Sequence, residues 1–233
     1  MNAPGYYFMK MHQERSYVIA LENADNVNGM YIDVEKNGCS FRNYKDLLLL
    51  GAIDQRTGEN EKGGCYDKLR KIAKDLYPNS KEKYHWSAQD CMTIDKIPYI
   101  GKYSDKTPNI YVATGFNKWG MTSSMVSAMI ISDMILDKEN DFSEIFSPKR
   151  FDLSLSIGNI ANDMIETAKN FIAQKIYIPS SKIEHIKNGH AGIVEYNDEK
   201  IGVYKNNDGK EFIVSTKCPH LGCQLGWNAD ELT

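Results

Sequence analysis

A chain of 233 residues and 26.5 kDa, 42% hydrophobic and 25% charged, has room for one large globular domain or two small ones. Its net charge of −3 argues against a general nucleic-acid partner or an acidic membrane surface. The apolar runs, such as Leu47–Leu50 and Met129–Ile131, are far too short to span a bilayer, and the N-terminus MNAPGYYFMKMHQ lacks the apolar core of a secretory signal. Cysteines at 39, 65, 91, 218 and 223 are odd in number and scattered, so no disulfide framework is expected and a reducing cytoplasm is the expected compartment.

In chain order, Gly5–Met11, Ser16–Leu21, Gly29–Val34 and Tyr44–Leu50 are rich in aromatic and β-branched residues and separated by Asn-, Asp- and Gly-containing breaks. Strands so closely spaced, with no helix between them, predict an antiparallel sheet. A helix is expected over about Cys65–Tyr77, where Leu69, Ile72, Ala73 and Leu76 recur at helical spacing before Pro78. The basic residues of Lys68–Lys74 are interspersed with acids and read as its solvated face. Lys83–Gln89 reads as a further strand, with His85 and Trp86 on opposite faces and Trp86 taken as the packing residue. His12, His185 and His190 read as surface residues.

Asn109–Ile131, NIYVATGFNKWGMTSSMVSAMII, then reads as a buried strand (Ile110 to Thr114), a glycine turn, a short loop and a helix beginning at Gly120. Small residues crowd the first turns of that helix (Thr122, Ser123, Ser124, Ser127, Ala128). A helix N-terminus gated by glycine offers free N–H groups and the positive end of a dipole, and small side chains let a flat ring come close. An ordinary βα unit has the same local chemistry.

The run Trp86-Ser-Ala-Gln-Asp90, Ile97-Pro-Tyr-Ile-Gly101 and Asn109 to Thr122 resembles the carboxyl-terminal half of the FAD-dependent D-amino-acid-oxidase-like family, which includes glycine and sarcosine oxidases. The resemblance covers roughly residues 3 to 146. It implies that the sheet of residues 1–98 binds a small amine or amino-acid substrate. Residues 99–147 would then be the point where the chain re-enters the flavin domain. It also implies that Gly115, Phe116, Gly120, Met121 and Thr122 face the flavin ring. Arg42, Lys118 and Gln89 are the candidates for gripping substrate. A solvated loop lysine at 118, an edge-strand ion pair at Arg42, and a turn cap at Gln89 and Asp90 are the plainer alternatives. The family opens its flavin domain with a G-x-G-x-x-G turn, and none occurs in these 233 residues; Gly63-Gly64 stands in a polar loop. The expectation is therefore a fragment, impaired or inactive in catalysis.

From Pro148 to Pro179, Ile157, Ile160, Met164, Ile165, Ala168, Phe171 and Ile172 predict a helical linker, placed at 148–182. After a boundary near Ser180–Ile183 come short strands, Gly192–Tyr196, Ile201–Tyr204 and Glu211–Ser215, with hairpin signals at Asn197-Asp198 and Asn207-Asp208-Gly209. Lys217-Cys218-Pro-His220-Leu-Gly-Cys223 follows. It resembles the first cluster-binding loop of a Rieske [2Fe–2S] domain, whose iron pair is held by two cysteines and two histidines. By that resemblance Cys218 and His220 are ligands, and Cys223 matches a position that in some members forms a disulfide. The second Cys-x-x-His loop is not found, so 183–233 reads as a truncated domain. The whole is expected to be an α+β chain, an FAD-dependent oxidoreductase joined to a Rieske electron-transfer segment. The alternative is a non-catalytic scaffold or partner-dependent fragment that self-associates through exposed sheet edges. No role is assigned to Cys39, Cys65 or Cys91.

Overall fold

The structure, a computed structural model, describes residues 7, 10–35, 38–60, 63–150, 182–219 and 224–233. The chain divides into two compact units, Met1–Arg15 with Ala88–Glu166 and Ser16–Ser87 with Thr167–Thr233. The fold is α+β with antiparallel sheets, as expected.

Strands β1 (Met11–Glu22), β2 (Met30–Ile32), β3 (Ser40–Tyr44), β4 (Leu47–Arg56) and β5 (Lys81–Thr93) form a five-stranded sheet in the order β2-β3-β4-β1-β5. The expected strand Tyr44–Leu50 is corrected. Tyr44 pairs with Leu47 across a two-residue turn, and Lys45 enters the left-handed region at φ 54°, so the run is the end of β3 and the start of β4. Of Gly5–Met11 only Tyr7, Lys10 and Met11 are described, and β1 begins at Met11.

In the second unit, Tyr17, Ile19 and Leu21 of β1 and Leu48, Leu50 and Ala52 of β4 point to one face. Helix α1 (Cys65–Leu76) covers that face with Cys65, Tyr66, Leu69 and Ala73, leaving its basic residues in solvent. Leu76 departs from the expected apolar stripe and is exposed. On β5 the expected packing role of Trp86 is not met, and neither ring of the pair is buried. The His85 ring packs edge-on against Tyr66 at 4.6 Å, while Trp86 is 39% exposed on the other face.

In the first unit the expected lone buried strand is a hairpin. Strand β6 (Tyr99–Ser104) pairs antiparallel with β7 (Thr107–Thr114), and Ile110 is half-exposed. The turn Asp105-Lys106 is closed by a hydroxyl contact of 2.9 Å between Ser104 and Thr107. Helix α2 (Gly120–Ile135) begins at the predicted residue and buries Ser127 and Ile130.

Arg150 holds the approach to this hairpin. Its Nε donates to Asp95 Oδ2 at 2.9 Å and its Nη2 to Asp95 Oδ1 at 3.1 Å. Its Nη1 donates to the Pro98 carbonyl at 2.8 Å, its Nη2 also reaches the Ile97 carbonyl, and the guanidinium lies 4.2 Å over the Tyr99 ring. Burial pushes the neighbouring Tyr7 phenol up to about 12, with Tyr103 and Tyr99 adding to the effect.

The C-terminal segment forms a three-stranded sheet, β10-β9-β8, from β8 (His190–Tyr196), β9 (Glu199–Lys205) and β10 (Glu211–Ser215). Asn197 and Asp198, at φ 51° and 63°, make the β8–β9 turn that their residue types suit. Val194, Val203 and Ile186 form its small core. The expected helical linker lies outside the described residues apart from Pro148–Arg150 and Lys182.

Candidate functional site

The turn after β7 is set by steric exclusion. Gly115 has φ +72°, and a Cβ there would lie 2.3 Å from Thr93 Cγ2, so the chain can cross the end of β5 only without a side chain. Asn117 then ties the two segments together. Its Oδ1 accepts from the Thr93 N–H at 2.9 Å, and its Nδ2 donates to the Gly115 carbonyl at 2.8 Å and to Thr93 Oγ1 at 3.1 Å. Its own N–H reaches the Cys91 carbonyl at 3.3 Å. Asn117 is missing from the residues singled out in the sequence, although an Asn two positions after a turn glycine tolerates the left-handed backbone it adopts here, φ 50°.

This clamp sends the chain into α2 with its N-terminus open. Trp119 occupies the N-cap and makes no side-chain cap hydrogen bond, and the first intrahelical acceptor near this end, the Trp119 carbonyl, takes the Ser123 N–H at 2.9 Å. A Cβ on Gly120 would meet nothing within 4 Å, and Met121 is 87% exposed. The amides of Gly120, Met121 and Thr122 therefore converge on open space at the positive end of a sixteen-residue helix. Beside them a cleft of about 290 Å³ is lined by Phe116, Asn117, Trp119, Thr122, Pro98 and Phe146, among others.

Lys118, at φ 69°, lies in the same loop and pairs with Glu14 on β1 at 2.8 Å. Glu14 also faces His12 Nε2 at 3.6 Å; His12 is part-buried, correcting its reading as a surface residue, whereas His185 and His190 are exposed as expected. Gln89 is exposed within β5, which runs on to Thr93, so neither Gln89 nor Asp90 ends the strand. Arg42 is exposed on β3 between Met30 and Leu49, in the other unit from Lys118 and Gln89.

At the other end of the chain, a bridge between Lys217 and Gln224 closes the base of a loop after β10. The Leu225 N–H donates to the Thr216 carbonyl at 2.7 Å, and buried Thr216 Oγ1 donates to the Lys200 carbonyl at 2.8 Å. Cys218 sits on this loop as a half-buried free thiol. His220 and Cys223 lie outside the described residues. Among the described residues no group of three or more His, Cys, Asp or Glu is placed to hold a metal.

These features fit the expected groups in part. The open amide-lined helix end suits the electron-rich edge of a flat ring, and a free thiol on a closed loop suits one iron ligand. Residues 1–134 match the DAO family of FAD dependent oxidoreductases, and residues 177–232 match the Rieske [2Fe-2S] domain. The chain thus belongs to the DAO family of FAD-dependent oxidoreductases, and it carries a Rieske segment after the flavin-family part. FAD and a [2Fe–2S] cluster are the cofactors that these families bind.

A curated relative, the Rieske 2Fe-2S iron-sulfur protein YhfW of Bacillus subtilis (strain 168), is 36% identical over 98% of this chain. The chain spans 46% of that relative's length. Among solved structures, glycine oxidase from Geobacillus kaustophilus superposes with a TM-score of 0.52 at 21% identity, over 61% of this chain and 40% of the other. L-Proline dehydrogenase from P. horikoshii gives a TM-score of 0.52 at 16% identity, over 61% and 41% of the two chains. These likenesses are in fold.

Proposed function

We propose that this chain supplies the substrate-binding sheet and the ring-facing turn of a flavin-dependent amine or amino-acid oxidoreductase, together with one ligand for each iron of a Rieske electron-transfer domain. The observation that carries the reading is the uncapped N-terminus of α2, aimed at open space behind the Gly115–Asn117 clamp. FAD, when bound, accepts a hydride from a substrate C–H bond, and a [2Fe–2S] cluster carries single electrons. The amides of Gly120, Met121 and Thr122 would hold positive potential against the flavin pyrimidine edge. Gly115 and Phe116 would shape the approach to the ring. Lys118, oriented by Glu14, would meet a substrate carboxylate as a point charge, with Gln89 as a further polar contact. Cys218 and His220 would each hold one iron, the neutral imidazole raising the reduction potential.

Under this reading residues 1–98 are the substrate sheet, 99–147 the strand–helix part of the flavin domain, 148–182 a linker and 183–233 the Rieske part. Free thiols at Cys39, Cys65, Cys91 and Cys218 support a reducing, cytoplasmic setting. The chain contains no G-x-G-x-x-G turn to cradle a pyrophosphate, so alone it is expected to hold FAD weakly and turn over poorly.

The test is FAD binding by the chain and by Gly120→Leu, followed by flavin fluorescence. A Cβ at this position meets no protein atom within 4 Å, so folding, read by circular dichroism, should be unchanged while FAD binding weakens by about tenfold. Equal binding by both proteins would remove the basis of the reading. A second reading, a partner-dependent scaffold, is favoured by the exposed edge of the sheet, where Met30, Tyr31, Ile32 and Val34 are 81%, 56%, 65% and 95% exposed. Concentration-dependent size-exclusion chromatography of a colourless sample would support that alternative.

A further inference from the structure

Gly63-Gly64, the pair that no phosphate motif claims, forms the turn into α1, with φ +69° and +87°. Gly64 is the N-cap of α1 and has no side chain to cap it. The cap comes from the far end of the chain. Asp230 Oδ1 accepts from the Gly64 N–H at 2.8 Å and from the Cys65 N–H at 3.2 Å, and Oδ2 accepts from the Cys65 N–H at 3.2 Å. Asn60 braces both partners: its Nδ2 donates to Asp230 Oδ2 at 2.8 Å, and its Oδ1 accepts from the Gly63 N–H at 3.0 Å. One residue on, the Tyr66 hydroxyl donates to Glu231 Oε1 at 2.5 Å. Burial and the Glu231 carboxylate hold the Tyr66 phenol well above its usual range, so it stays a donor.

The tail is shaped for this. Asn228 Oδ1 accepts from the Asp230 and Glu231 amides at 3.1 and 3.3 Å, and Asn228 and Thr233 exchange backbone bonds at 2.7 and 3.3 Å. The result is a closed turn that presents two consecutive carboxylates. Opposite it, Gly63 has φ +69°, and a Cβ there would lie a tight 3.0 Å from Ala229 Cβ, so glycine suits both the backbone and the close approach of the tail.

We propose that Asn60 and the Gly63–Tyr66 turn form a docking site for the acidic pair Asp230-Glu231, and that this latch fixes the Rieske segment to the flavin-family sheet. Two helix-end amides, an amide side chain and a phenol supply the donors for two carboxylates, a match of charge and geometry at a helix N-terminus. The latch goes beyond the catalytic reading and needs neither cofactor, so it stands or falls separately from it.

Amide hydrogen exchange on the full chain tests it. Asp230→Ala should speed exchange at Gly64 and Cys65 by about tenfold, while β4 and β9 keep their protection. Unchanged exchange at Gly64 and Cys65 overturns the latch. Should Asp230→Ala not fold, Asn60→Ala leaves the tail's own turn intact, removes the brace on Asp230, and should speed exchange at Gly64 and Cys65 by about fivefold. Unchanged protection there overturns it equally.

Discussion

At the residue scale the turn ahead of α2 depends on two side chains of opposite kind, one absent and one polar. Gly115 is held in the left-handed region, with Thr93 where a Cβ would go. Gly115→Ala combines backbone strain with overpacking, and a loss of about 2–4 kcal/mol in urea unfolding is expected. Asn117→Ala removes the side-chain hydrogen bonds to Thr93 and Gly115 in one step and should cost about 1–3 kcal/mol, with α2 still helical by circular dichroism. The glycine was legible in the sequence because a turn glycine after a strand is a local signal. The clamp was not, since its acceptors and donors on β5 lie 24 residues away.

At the scale of elements, α1 is joined to β5 by charge as well as by the apolar face. Arg70 donates to Glu82 at 2.7 and 3.1 Å and to Asp67 at 2.9 Å, and Glu82 also faces His85 Nδ1 at 2.8 Å. The Arg70 hydrogen bonds chiefly, helped by His85, hold the Glu82 carboxyl below its ordinary 4.5. A depressed carboxyl stabilises the fold fully above that value, and its contribution is lost as pH falls through the lower folded value. The urea midpoint should therefore fall on acidification below pH 4.5, and Glu82→Gln should flatten that part of the profile. Around the hairpin, Arg150→Lys keeps the charge but loses the fork onto Asp95 and the flat contact with Tyr99. A loss of about 1–2 kcal/mol in urea unfolding is expected, where a purely electrostatic role predicts none.

At the scale of the whole molecule, the C-terminal tail and the helix it caps are distant in sequence but share one compact unit. Cys65 lies at their junction and is 2% exposed; burial first and the Asp230 carboxylate next push its thiol up. Under native conditions a thiol reagent should modify Cys218 and leave Cys65 untouched, as peptide mass mapping would show. Asp230→Ala should expose Cys65 to the same reagent.

By itself the sequence determined the α+β class, helix α1, the start of α2 at Gly120, and the Asn197-Asp198 turn, together with both family resemblances. Apolar period, turn chemistry and helix starts are set by residues a few positions apart, so they can be read from the chain directly. The tertiary structure alone decided that Lys118 faces Glu14, that the exposed His85 ring meets Tyr66 edge-on, and that Asp230 caps a helix 165 residues upstream. Each depends on which of many equivalent polar or aromatic groups the fold carries within hydrogen-bond or van der Waals reach, and local sequence holds no record of that distance.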